Sequence, residues 1–234
     1  MVIITGASSG IGKALAEIYL HQGQKVIGIS RTNSIKNELF EFIPCDLTKV
    51  EDLKRLLQKL PDYFLTNEKV TLINNAGIIG DIKASKDLTL EHYLNVSTVN
   101  IVALQAITSS ALAHLKEQQL NAIVNISSGA GRRAIPSWSA YCASKAAVDL
   151  FSETVKAELL EQGNELTKIY ALAPGVVDTQ MQSHIRKSNE ADFSSLSNFK
   201  KLKKENNLKS PKEVAQQIIE LLKLPQQEVI NRLT

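Results

Sequence analysis

At 234 residues, with 44% hydrophobic and 22% charged side chains, the chain is neither disordered nor collagen-like, and roughly 150 residues per domain favours one domain over two. The formal net charge of +3 comes with no aromatic–basic stripe, so nucleic acid is not an expected partner. No run approaches the roughly 20 apolar residues that cross a bilayer, and no membrane association is expected.

From the amino end, Val2–Thr5 reads as a strand that meets a glycine-rich turn, and Met1 to Ser9 carries no basic leader, so a cytosolic address is expected. Ile11–Gln22 follows as a helix with Ile11, Leu15, Ile18 and Tyr19 on one face. Lys25–Ser30 and Phe40–Cys45 are the next strands. Only Arg31 to Leu39 lies between them, so the crossover helix is expected to be vestigial or absent. The spacing predicts a helix over Thr48–Leu60, with Thr48 and Glu51 as a capping box and Pro61 beyond its end. Strands at Val70–Asn74, Ala122–Ser127 and Lys168–Ala173 alternate with long helices at Thr89–Gln118 and Ser139–Gln162. A last helix begins after Pro211, and a short strand around Glu228–Asn231 could close the sheet. The strands are nearly continuous apolar runs, as in parallel sheets covered on both faces. The alternation predicts one doubly wound α/β domain over residues 1–234. The segment from Gly175 to Ser210 is long and irregular, and follows a strand at the edge where such folds bind ligands, so about 176–210 is a candidate substrate lid.

Cys45 and Cys142 have no zinc-ligand spacing and form no disulfide framework, and the four histidines are scattered singly, so no metal site is expected. The first strand runs into Thr5-Gly6-Ala7-Ser8-Ser9-Gly10-Ile11-Gly12 and then a helix. Glycines there allow a tight turn and close approach of backbone to a pyrophosphate, with a helix amino terminus behind them. Tyr141 and Lys145 stand one helical turn apart. A phenol titrates near 10, too high for efficient work at neutral pH, and an adjacent ammonium is expected to lower it. Taken alone, such a pair reads more often as a surface contact.

The spacing Gly-x3-Gly-x-Gly, Asn74-Asn75-Ala76-Gly77, Ser127-Ser128, Tyr141-x3-Lys145 and Pro174-Gly175-x3-Thr179 occur together in this order. On these motifs the chain, from residue 2 to about 223, resembles the short-chain dehydrogenase/reductase family. The resemblance implies a Rossmann-type fold and a nicotinamide cofactor. It makes Ser128, thirteen residues before the tyrosine, the serine that orients a substrate carbonyl. Tyr141 becomes the proton donor, Lys145 its cationic partner, and Asn100 the holder of a water in a relay to the lysine. Asn100 also reads as a core hydrogen bond bracing the neighbouring strand. For the cofactor the resemblance implies Gly6, Ser8, Ser9, Gly10, Ile11 and Gly12 at the pyrophosphate, and Asp46 and Leu47 at the adenine. Asn75, Ala76 and Gly77 line the ribose, Pro174, Gly175, Val177 and Thr179 lie at the nicotinamide, and Tyr141 and Lys145 also touch the cofactor.

An NAD enzyme places an acid near the end of the second strand. Eighteen residues after Gly12 this chain has Ser30-Arg31-Thr32, with no carboxylate to repel a 2′-phosphate and a guanidinium fork to match one, so NADP(H) is the expected cofactor. Arg31 covering the adenine face is the alternative. The same segment and the short second crossover resemble the branch with sepiapterin reductase and bacterial benzil reductase, which implies a vicinal dicarbonyl or α-functionalised ketone as the small-molecule substrate. Gly129–Trp138 should form the pocket wall. Trp138 either packs on a flat substrate or fills a core or subunit contact. Residues Arg186 to Lys212 hold eight basic and three acidic side chains, a solvated basic face or a field for an anionic substrate. Alanines at 143, 146, 147 and 157 allow close helix packing across a two-fold axis, and the resemblance implies a homodimer or homotetramer. The expected activity is NADPH-dependent carbonyl reduction. A cofactor-binding regulator without turnover and a 3-oxoacyl thioester ketoreductase stay open. Nucleotide-sugar dehydratases and epimerases need a larger carboxyl-terminal domain than this chain can hold.

Overall fold

The computed structural model describes residues 1–65 and 68–233. Its strands are β1 (Val2–Thr5), β2 (Val26–Ser30), β3 (Phe40–Pro44), β4 (Val70–Asn74), β5 (Leu120–Ile126), β6 (Lys168–Ala173) and β7 (Ile230–Arg232). They form one parallel sheet in the order β3-β2-β1-β4-β5-β6-β7. The order reverses between β1 and β4, which opens a crevice at their carboxyl ends.

Alternation along each strand divides its residues between two cores. Ile4 faces a layer with Leu15 and Tyr19 of α1 (Gly10–His21) and Val214 and Ile218 of α8 (Pro211–Lys223). Ile3 faces the other layer, with Leu53 and Leu60 of α2 (Val50–Phe64), Ile107 of α4 (Leu104–His114) and Val155 of α5 (Ser139–Glu161). This is the doubly wound sheet the sequence predicts. No helix lies between β2 and β3, also as expected.

Several local expectations are corrected. Helix α2 begins at Val50 after Lys49, and Thr48 forms no capping box; its hydroxyl donates to Asp46 Oδ1 at 2.8 Å. Pro61 lies inside the last turn of α2, because burying Phe64 on the same face as Leu53, Leu56 and Leu60 favours one more turn despite a lost N–H donor. The span predicted as one helix over Thr89–Gln118 is α3 (Leu90–Ser97), a π segment over Thr98–Ala103, and α4, which ends at His114. This 25-residue stretch, with an 18-residue window of mean hydropathy 1.4, is long and apolar enough to cross a bilayer by length and composition. Here it lies on the sheet, with Val96, Val99, Ala103, Ile107 and Ala111 buried. The irregular 176–210 segment contains two short helices, α6 (Gln180–Arg186) and α7 (Leu196–Lys204).

Candidate active site

The carboxyl ends of β1 and β4 are joined by side chains. Thr5 Oγ1 accepts from the backbone N–H of Asn75 and of Ala76, each at 3.0 Å. Asn75 Nδ2 donates to the carbonyls of Thr5 at 3.0 Å and Gly6 at 3.2 Å. The turn they support takes left-handed backbone at Gly6 (φ 69°) and Gly10 (φ 55°). A Cβ on Gly12 would stand 2.4 Å from both Gly6 O and Asn75 Nδ2. Ser9 precedes α1 in extended conformation without a side-chain cap, so the amino end of the helix faces the crevice uncapped. Ser8 and Ile11 lie in the same turn, and the Ser8 carbonyl accepts from Ser34 at 3.5 Å. Thr179 stands over Gly10, its methyl 3.3 Å from where a Cβ would lie, while its hydroxyl caps α6.

At the end of β2, Ser30 Oγ donates to Thr32 O at 2.8 Å, and Arg31 and Thr32 are exposed. Leu47 is buried beside Asp46 at the end of β3. Partial burial opposes ionisation of Asp46, but bonds from the Thr48 hydroxyl and N–H, with the nearby Arg31 charge, hold its carboxyl below the usual range. Pro174 is buried, Gly175 turns left-handed (φ 81°), and Val177 bridges to Lys209. These residues fit a dinucleotide: glycines make a cradle that a Cβ would fill, an uncapped helix end faces it, and the exposed Arg31 follows the end of β2.

The second group gathers where β5 ends. Ser128 opens a short turn, Gly129–Arg132, and its Oγ accepts from Ala130 N at 3.2 Å. Tyr141 and Lys145 project from one buried face of α5, with Lys145 Nζ 5.7 Å from the Tyr141 ring centroid and donating to Ile126 O at 2.8 Å. The π segment turns Asn100 inward, where Nδ2 donates to Ile78 O (2.8 Å) and Ser144 Oγ (3.0 Å) and Oδ1 accepts from Ile78 N (2.9 Å). Asn100 thus makes buried hydrogen bonds, but to the Ile78 loop and to Ser144 of α5 rather than to a strand. A Cβ on Gly77 would lie 3.5 Å from both Asn100 Oδ1 and Lys145 Nζ, so this loop closes over the pair.

Burial pushes the Tyr141 hydroxyl up to about 12, against a hydrogen bond with Ser128 that works the other way. Burial also pulls the Lys145 ammonium down to about 8, opposed by the Asp149 carboxylate. The expected lowering of the phenol is thus reversed in the chain by itself. Desolvation of both charged forms dominates, and the ammonium is turned toward Ile126 rather than the phenolic oxygen. At neutral pH Tyr141 is a neutral O–H, the form a proton donor needs.

Trp138 is buried, with its ring stacked on Phe193 of the lid (5.3 Å, 17°) and edge-on to Tyr141 (5.7 Å, 89°). Phe199 completes the cluster at 5.5 Å from Trp138. Ser137 Oγ bonds to Asp192 O, and His184 Nε2 lies 3.3 Å from Gly80 O, so the lid rests on the wall. Of the two alternatives for this tryptophan, the core contact is the one seen, and it adjoins the candidate acid Tyr141. Thr5, Phe193 and the Arg132–Asp149 pair were not singled out from the sequence. Asp149 carried a readable signal: it lies four residues beyond Lys145, a charge on the buried face of an amphipathic helix.

Two bacterial relatives are similar over nearly their whole length. Benzil reductase ((S)-benzoin forming) of Bacillus cereus is 38% identical, covering 98% of this chain and 98% of that protein. The enzyme of the same name from Bacillus subtilis (strain 168) is 33% identical, over 95% and 93%. The solved structure of the short-chain dehydrogenase/reductase YIR035C from Saccharomyces cerevisiae superposes with a TM-score of 0.82 at 25% identity, covering 96% of this chain and 91% of that one. With the sequence pattern of the short chain dehydrogenases matched over residues 1–190, the chain belongs to that family of oxidoreductases.

Proposed function

We propose that the protein is an NADPH-dependent carbonyl reductase acting on a ketone or vicinal dicarbonyl, with Tyr141 as the proton donor. The observation that carries the reading is the buried Tyr141 side chain, one helical turn from Lys145, at the sheet edge that also bears the glycine turn. The bound cofactor supplies the hydride. Tyr141 passes its proton to the carbonyl oxygen, and the Ser128 hydroxyl donates to that oxygen as it gains charge. Lys145 stabilises the phenolate left behind. Asn100 ties the Ile78 backbone to Ser144, whose hydroxyl donates to Tyr141 O at 2.8 Å, and so fixes the loop against the acid's helix.

NADPH rather than NADH is supported by Arg31 between Ser30 and Thr32, with Gly6, Ser8, Ser9, Gly10, Ile11 and Gly12 holding the pyrophosphate. Asp46, Leu47, Asn75, Ala76 and Gly77 line the adenosine side, and Pro174, Gly175, Val177 and Thr179 the nicotinamide side. The names of the Bacillus relatives support a dicarbonyl substrate. A homo-oligomer is supported by exposed Ala143, Ala146, Leu150 and Ala157 along one face of α5, and a cytosolic address by the free thiols of Cys45 and Cys142.

The test is oxidation of NADPH and of NADH with benzil, phenylpropanedione, sepiapterin and an acetoacetyl thioester. Turnover of a dicarbonyl with NADPH is expected. Preference for NADH would overturn the reading of Arg31, and turnover of the thioester alone would replace the dicarbonyl with an acyl-carrier substrate.

A further inference from the structure

One turn beyond Lys145, on the same buried face of α5, lies a carboxylate that the proposed chemistry leaves idle. Asp149 is 5% exposed; its Oδ2 accepts from Arg132 Nε at 3.0 Å, and its buried Oδ1 has no hydrogen-bond partner among the described residues. Arg132 closes the short turn that Ser128 opens. Between these two residues, Gly131 presses on α5: a Cβ there would stand 2.7 Å from the Lys145 carbonyl carbon and 2.8 Å from its oxygen. The turn carrying Ser128 therefore meets the helix carrying Tyr141 at two points, a glycine against the Lys145 carbonyl and an ion pair one turn on.

As a stabiliser such a pair is poor, because desolvation of a buried carboxylate offsets most of the attraction and one oxygen here gains nothing in return. An apolar contact would hold the turn as firmly. What the ion pair adds is direction and charge. We propose that Asp149, held by Arg132, is a positioning residue for the reaction: it fixes the Ser128 turn in register with the Tyr141 helix and provides a counter-charge one helical turn from Lys145 on the same buried face. This rests on the roles proposed above for Ser128, Tyr141 and Lys145.

The charged surroundings of Lys145 are few. On its own helix stand Tyr141, neutral up to about 12, Cys142 beside it, and Asp149. From the packed elements, Asn100, Ser127, Ser128 and the Gly77 loop bring no charge, and Arg132 acts through Asp149. Asp149 thus opposes the desolvation that draws Lys145 down to about 8.

The experiment compares Asp149→Asn, Arg132→Met and Arg132→Lys in the full-length protein. Lys145 is titrated by NMR on lysine labelled at Cε, and kcat/KM for benzil with NADPH is followed against pH. Asp149→Asn removes the counter-charge, so the Lys145 midpoint moves down. Arg132→Met leaves the carboxylate to Lys145 alone, so the midpoint moves up. Both variants lose on the order of 10-fold in kcat through misplacement of Ser128, with the KM for NADPH little changed, and Arg132→Lys regains most of the loss. An unchanged midpoint in Asp149→Asn, displacement of both variants in the same direction, or unchanged kcat in both would overturn the proposal. Full activity in Tyr141→Phe would instead sink the assignment of the acid. The titration needs no turnover and decides on Asp149 in either case.

Discussion

The two ends of the crevice are built by different means. At the end of β1 the chain relies mainly on backbone, with left-handed glycines and an uncapped helix end, braced to the end of β4 by the side chains of Thr5 and Asn75. On the β5–β6 side it uses side chains from remote segments, with Trp138, Tyr141, Phe193 and Phe199 meeting across some sixty residues of sequence. A backbone-built site leaves a short, spaced signature in the sequence. A site built by packing is visible only after the chain is folded. It also tolerates substitution differently, since a turn without room for a methyl group fails abruptly whereas an aromatic cluster repacks.

Gly12→Ala should break the contrast most strongly. Its new methyl would lie 2.4 Å from Gly6 O and Asn75 Nδ2, and NADPH affinity should fall about 100-fold or more, equivalent to roughly 3 kcal/mol. Gly129→Ala, where a Cβ meets nothing within 4 Å, should leave that affinity unchanged. Titration of NADPH fluorescence measures both. Equal losses would show that glycine packing does not distinguish the two regions. Next in size, Arg31→Ala should lower the NADPH-over-NADH ratio of kcat/KM by about 10- to 100-fold, the worth of charge-assisted hydrogen bonds to one phosphate.

On the packed side, Trp138→Leu should cost roughly 10-fold on a phenyl diketone and little on butanedione, in line with the modest worth of aromatic contacts. Trp138 is the chain's one tryptophan, so its emission should also be quenched when benzil binds. Equal losses on both diketones would make Trp138 a packing residue only. The smallest effect is in pH. Lys145 loses its charge as pH rises through about 8, while Tyr141 keeps its proton to about 12, so kcat/KM should decline above about pH 8. A rate that climbs through that range would contradict the need for the ammonium.

The legibility of the sequence follows the same division. The strand positions along the chain, the missing second crossover and the Gly6–Gly12 turn follow from apolar runs and glycine spacing, which are local. The π segment at Thr98–Ala103 does not, because its extra residue serves to bring Asn100 to Ile78 and Ser144, contacts 22 and 44 residues away. Pro61 in α2 and the helices in the lid escape for a related reason: burial of Phe64, and of Ile185 and Leu196 against Trp138's cluster, decides them, not local propensity. The direction of the Tyr141 shift is not legible in the sequence, because spacing reveals the neighbouring charge but not the depth of burial.

The most direct test of the account is single-turnover oxidation of NADPH by benzil in Tyr141→Phe, with the cofactor saturating. Removing one buried hydroxyl should slow the step on the order of 10²- to 10⁴-fold while NADPH binds as tightly as before. A variant that turns over within about 5-fold of the native rate, far below the usual worth of a general acid, would contradict Tyr141 as the source of the proton.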